Sequence, residues 1–169
     1  QLRNALWMHK RGHEVLVLGC ENSPYLNKAL EWSLPTITID PYRKYYAFGS
    51  ALKLARILKK EEATHLFIRD TRDMSIMASL KFLLKKSITT VYFMEMQLGV
   101  TKKNLLHTLR FSFLDFWSCP LHGLMEQVQE KTRFNSNRLL LIPSGLDRSS
   151  LISIDKESAR NTLNLPEKV

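Results

Sequence analysis

Lys10-Arg11-Gly12-His13-Glu14-Val15-Leu16-Val17-Leu18-Gly19 places a helix stop directly ahead of a short apolar run. Upstream, Leu2, Ala5, Leu6 and His9 recur at helical spacing, so Lys10 and Arg11 fall in a last turn with Gly12 just past it. Downstream, the run over 13–19 is nearly all apolar after its charged entry and rich in Val and Leu. That is the pattern of a strand covered by helices on both faces, which belongs to a parallel sheet.

The alternation continues along the chain. Ser23 as cap with Pro24 in the first turn predicts a helix to about Trp32, and Thr36-Ile37-Thr38-Ile39 a β-branched strand closed by Asp40-Pro41. A helix over 48–62, a strand over 64–68, a helix from Met74 to about Lys85 capped by Asp73, and a strand over 89–94 follow. Helices over 103–113 and 121–131 flank a short strand at 116–119. Leu139-Leu140-Leu141-Ile142 reads as a buried strand broken by Pro143-Ser144-Gly145-Leu146-Asp147, and 155–164 as a last capped helix. This order predicts an α/β fold: a doubly wound, mostly parallel Rossmann-like sheet with helices on both faces. Such a sheet starts with a strand, whereas this chain starts with a helix and lacks an initiating Met, so it is expected to be an excerpt without its first strand.

With 169 residues, 44% apolar and 24% charged, the chain has the composition of a globular domain, and no apolar run approaches the roughly 20 residues needed to cross a bilayer. Cys20 and Cys119 are far apart in sequence and the five histidines form no ligand cluster, so a reducing cytoplasm is the expected location and no metal site is expected. A net charge of +9 suits anionic partners. The basic pairs Arg43-Lys44, Lys59-Lys60, Lys85-Lys86 and Lys102-Lys103 are scattered without aromatic interleaving, so nucleic acid is not an expected partner. Peripheral contact with an anionic membrane is a further expectation, drawn from Lys59-Lys60 and Lys85-Lys86 at helix ends and from Trp7, Phe111, Phe113 and Phe116.

Arg11-Gly12-His13-Glu14-Val15 after an amphipathic helix resembles the segment that closes the first helix of many GT-B glycosyltransferases, in particular the retaining family 4 (group 1). Ser23-Pro24, Leu34-Pro35, Met96-Gln97-Leu98-Gly99 with Lys102, Lys103 and His107, and Ile142-Pro143-Ser144-Gly145-Leu146-Asp147 are similar in order and spacing to that family's N-terminal domain. The last of these marks, in the family, the crossing to the donor domain, and Ser158 to Pro166 resembles the helix that opens it. The resemblance thus implies an acceptor-side domain over 1–147, and over 148–169 the crossing, through Gly145 and Asp147, and the start of a donor domain. It implies one half of an enzyme that moves a sugar from a nucleotide-diphosphate sugar to a saccharide, a polyol or a lipid-linked acceptor. No cofactor bound by this fragment is expected, and the fragment alone is expected to be inactive.

Ligand-contacting groups in a doubly wound fold sit past the carboxyl ends of the strands. Arg69-Asp70-Thr71-Arg72-Asp73 offers two guanidinium groups and two carboxylates there, either for acceptor hydroxyls or phosphate, or as an N-capped helix start whose charges pair in solvent. Arg69 and Asp70, nearest the strand end, are acceptor-binding candidates. Glu95 is another, standing with Met94 where related transferases commonly carry a histidine, so no catalytic residue is assigned. Gln97, Gly99 and Lys103 join the acceptor-binding set by resemblance. A second reading stays open: a non-enzymatic α/β module that binds an anionic or carbohydrate ligand by itself.

Overall fold

The structure, a computed structural model, describes residues 2–42, 48–84, 88–146 and 155–165. Arg43-Lys44, Lys85-Lys86, Asp147, the stretch 148–154 and Pro166 lie outside the described residues. The elements are α1 (Leu2–Lys10), β1 (Val17–Gly19), α2 (Pro24–Glu31), β2 (Thr36–Thr38), α3 (Phe48–Lys60) and β3 (His65–Ile68). There follow α4 (Met74–Leu83), β4 (Thr89–Phe93), α5 (Leu105–Ser112), β5 (Phe116–Cys119), α6 (His122–Lys131), β6 (Leu139–Leu141) and α7 (Lys156–Thr162), with a short 3-10 turn over Ser136–Arg138.

Every described strand pair is parallel, and a helix separates each pair of consecutive strands, with the 3-10 turn added between α6 and β6. The α/β class with a Rossmann-like parallel arrangement is therefore as the sequence implied. The sheet, however, is hydrogen-bonded in two parts, one ordered β1-β2 and the other β3-β4-β5-β6. Leu18 of β1 and Leu66 of β3 nevertheless pack against the same cluster on α3 and α4, built from Ala51, Leu54, Leu58, Ile76 and Leu80.

Several elements are shorter than their sequence pattern. The strand read over 13–19 is confined to Val17–Gly19, because Gly12 turns at φ 85° and the His13 amide donates to the Met8 carbonyl at the helix end instead of to a ladder. Residues 139–141 are half-buried instead of fully buried, as suits a strand at a sheet edge that pairs only with β5. Asp73 does not cap α4: its backbone is already helical (φ −73°, ψ −17°) and no side-chain cap bond forms. Ser23 and Asn104 do cap, accepting from Leu26 N at 3.2 Å and His107 N at 2.9 Å.

The larger core surrounds Trp117, which is 1% exposed and meets Tyr92 and Phe111 edge-on, each with ring centroids 5.1 Å away. Edge-on packing of this kind adds about 0.5–1.5 kcal/mol per pair beyond area burial. Beside it, the buried Lys81 ammonium of α4 pairs with the Asp115 carboxylate, which also accepts from Thr90 N at 2.7 Å and Thr90 Oγ1 at 2.8 Å. Burial pushes the Asp115 carboxyl up, but the bonds from Lys81 and Thr90 outweigh it and hold the group below its ordinary value. This knot ties α4 to β4 and to the turn entering β5.

Candidate functional site

β3 and β4 are neighbours, with Ile68 opposite Tyr92, so the segments that leave their carboxyl ends must diverge from one point. There the Arg69 guanidinium meets the Glu95 carboxylate, Nε to Oε2 at 2.5 Å, and both side chains remain more than a third exposed. Asp70 takes a second guanidinium: it accepts from the backbone amide and Nε of Arg72, both at 2.8 Å. The bond from Arg72 is the main reason the Asp70 carboxyl sits below its ordinary value. Of the two alternatives for this loop, the pairing of charges within it describes Asp70 and Arg72, while Arg69 instead reaches across to the next strand.

Two tyrosines border these charges. Tyr25, in the first turn of α2, lies within electrostatic reach of both Arg69 and Glu95; burial raises its phenol, opposed by Arg69 and assisted by Glu95. Gly19 at the end of β1 allows α2 this close, since a Cβ there would stand 3.2 Å from Leu26. Tyr42, beyond β2, donates its hydroxyl to Asp73 Oδ1 at 2.7 Å, and burial together with that carboxylate raises its phenol far above the usual range. The Asp73 carboxyl is itself raised, chiefly by burial, against the opposing bond from Tyr42. Its role is thus a partly buried acceptor at the site margin.

The loop after Glu95 is held differently. Leu98 is buried, its amide donates to Gln127 Oε1 at 3.2 Å, and its carbonyl accepts from Lys131 Nζ at 2.8 Å. The Lys102 amide donates to the Lys131 carbonyl at 2.7 Å. Gln97, Gly99 and Lys103 are all exposed along this pinned loop. Among the described residues no hydrogen bond or ion pair joins them to Arg69, Asp70 or Glu95. The structure therefore brings together Arg69, Asp70 and Glu95, with the other three candidates displayed on the adjoining segment.

Sequence reasoning passed over Tyr42, Gln127 and Lys131. Tyr42 had a usable signal, because it follows the turn at the carboxyl end of β2, where the same strand-end rule applies. Gln127 and Lys131 had none, since they act from a helix on a loop distant in sequence. Gly145, expected at the crossing, has no positive φ; what it provides is close approach, with a Cβ there 3.1 Å from the Trp7 ring.

Chemically, the arrangement is an open rim. The Glu95 carboxylate can accept from hydroxyls, the Arg69 fork can donate to hydroxyl or phosphate oxygens, and Tyr25 adds an aromatic wall with a polar tip. A half-open depression nearby, of about 100 Å³ and lined by Asp40, Tyr42, Lys53, Ile57 and Ile76, is well below the roughly 300 Å³ at which ligand pockets begin. A ligand of any size would rest across the strand ends. Among the described residues no group of three or more His, Cys, Asp and Glu could hold a metal ion.

No protein-family model matches the chain, and no curated protein does. Its fold does match solved structures, among them a glycosyltransferase from Rickettsia africae ESF-5, with a TM-score of 0.72 at 11% identity. The superposition covers 98% of this chain and 45% of that one, so the chain spans less than half the length of the structure it resembles. At so low an identity the likeness is one of fold: this chain folds as one part of that glycosyltransferase does.

Proposed function

We propose that the chain is the acceptor-side half of a glycosyltransferase of the two-domain GT-B type, similar to the retaining family 4, using a nucleotide-diphosphate sugar as donor. The observation that carries this reading is the match of nearly the whole chain to under half of a glycosyltransferase. The rim of Arg69, Glu95 and Tyr25 at the carboxyl ends of β3 and β4 agrees with it, being placed where a doubly wound fold presents ligand-contacting groups.

In this reading the acceptor is a saccharide, a polyol or a lipid-linked sugar. Glu95 accepts from acceptor hydroxyls while Arg69 holds the carboxylate in place and donates to neighbouring oxygens. Gln97, Gly99 and Lys103 extend the contact along the adjoining loop. Orienting one acceptor oxygen against the anomeric carbon is the contribution asked of this half: the new bond forms there as the bond to the diphosphate breaks. The positive charge and backbone amides that receive the leaving diphosphate belong to the other half. The segment through Gly145 and Asp147 crosses between the two, and the reaction takes place in the cytoplasm.

The test is sugar-nucleotide binding by this chain and by the full-length gene product, measured with labelled donors. Binding by the full-length product alone supports the division of labour. Equal binding by this chain overturns it and favours a self-sufficient carbohydrate- or anion-binding module.

A further inference from the structure

The segments that leave β3 and β4 are tied to each other twice. Arg69 of the first reaches Glu95 of the second, and Arg110 of α5, which continues the second, donates from Nη2 to the Thr71 carbonyl of the first at 2.9 Å. Arg110 is buried, so its bond is shielded from water, whereas the Arg69–Glu95 pair lies at the exposed edge of the rim. Between them Arg72 is paired with Asp70. Each described guanidinium of the rim thus already faces an oxygen of the protein, and Asp73 adds a carboxylate bonded to the Tyr42 hydroxyl. The chain carries a net charge of +9, yet the described charges of this rim show no such excess.

The Arg69–Glu95 contact uses Nε and Oε2. Among the described residues, the terminal nitrogens of Arg69 and Oε1 of Glu95 make no other hydrogen bond or ion pair. One hydroxyl can therefore accept from the guanidinium while it donates to the carboxylate, and two neighbouring hydroxyls can bridge the pair without breaking it. A phosphate monoester cannot, because it carries about −1.5 to −2 charges at neutral pH and offers acceptor oxygens. It would take Arg69 only in competition with Glu95, and would meet Asp70, which lies within electrostatic reach of Arg69. Tyr25, half-buried beside the pair, supplies the other surface a sugar ring needs: an apolar face for its C–H groups, with a hydroxyl at the tip.

We propose that the β3–β4 rim takes an uncharged, hydroxyl-rich group, a sugar ring or polyol that bears no phosphate or carboxylate where it meets Arg69 and Glu95. This rests on the placement of the acceptor at this rim, and it narrows the acceptor to a neutral one. Glu95 then sets specificity in two ways, by accepting from hydroxyls and by repelling the anions that Arg69 alone would attract.

Saturation-transfer NMR on the full-length gene product tests it, with methyl glucoside, methyl mannoside, methyl galactoside and myo-inositol, each beside its phosphate monoester. The expected result is binding of at least one neutral member, with its phosphate monoester weaker on the order of tenfold or more. Glu95→Gln removes the repelling charge and releases Arg69, so it should weaken the neutral member about tenfold and close the gap within the pair. Glu31→Gln removes the carboxylate of another exposed pair, 2.6 Å from Lys28 at the far end of α2, and should leave the preference unchanged. Thermal melts check that both variants fold. A preference for the phosphate monoesters, a preference that Glu95→Gln leaves intact, closure of the gap by Glu31→Gln, or binding of no member would each overturn the proposal. The expected preference in a protein that transfers no sugar would uphold the selectivity of the rim and sink the transferase reading. Transfer to phosphorylated acceptors ahead of neutral ones would do the reverse.

Discussion

The two parts of the sheet are written in the same sequence language and are packed very differently. Around β3–β6 the core gathers Trp117, Tyr92, Phe111, Phe134, Met74, Met77 and Met94 into one cluster. Under β1 and β2 the fully buried cluster is Val17, Ala29 and Leu34, with Leu2, Ala5, Leu6, Tyr25 and Trp32 only partly covered. Burial of apolar area is the main favourable term in folding, so the second region has less to hold it. The candidate site straddles this difference. Arg69 and Glu95 follow the carboxyl ends of the heavily packed strands, while Tyr25 is carried by α2 on the lightly packed flank.

Truncation measures the contrast most directly. Trp117→Ala removes the largest side chain of the major core and should cost about 3–5 kcal/mol in urea unfolding, whereas Val17→Ala should cost only on the order of 1–2 kcal/mol. Comparable losses would contradict the contrast. Next in size is Asp115→Ala, which leaves the Lys81 ammonium buried beside Thr90 and should cost about 3 kcal/mol. Its pH dependence has a definite sign. A carboxyl held below its ordinary 3.8 contributes stability that is full above about pH 4 and is lost as pH falls through the lower folded-state value. Urea midpoints taken across the acid range should show that loss in the wild type and less of it in Asp115→Asn.

Hydrogen exchange sharpens the same contrast. Ladder amides of β1 and β2 should exchange on the order of tenfold or more faster than those of β4 and β5, because local opening follows buried contact. Smallest is Gly145→Ala, which sets a methyl 3.1 Å from the Trp7 ring and should cost about 1 kcal/mol. Faster exchange over 142–146 and α1, with β4 unaffected, is the outcome that ties that cost to the lightly packed side.

The order of strands and helices was legible because it rests on short-range signals. Gly12 ends α1 at a positive φ, Ser23 caps α2, and the β-branched run at Thr89 to Phe93 becomes a strand. Of the site, Arg69, Asp70 and Glu95 were readable from their positions after strands. Their pairing was not: Arg69 could have bonded within its own loop, as Arg72 does, and only the register of β3 on β4 sends it to Glu95. Asp73 was misread because a cap position is inferred from sequence offset, whereas the Tyr42 hydroxyl that takes its carboxylate comes from 31 residues away.

The role proposed for the β3–β4 rim is to position an acceptor for glycosyl transfer. Transfer by the full-length gene product, over a panel of nucleotide-diphosphate sugars and hydroxyl acceptors, tests it with Glu95→Gln and Arg69→Met beside the wild type. The expected result is transfer by the wild type, a rise in acceptor KM on the order of tenfold in both variants, and unchanged donor hydrolysis when acceptor is omitted. Wild-type kinetics in both variants, or no glycosyl transfer by the wild type with any donor, would contradict it.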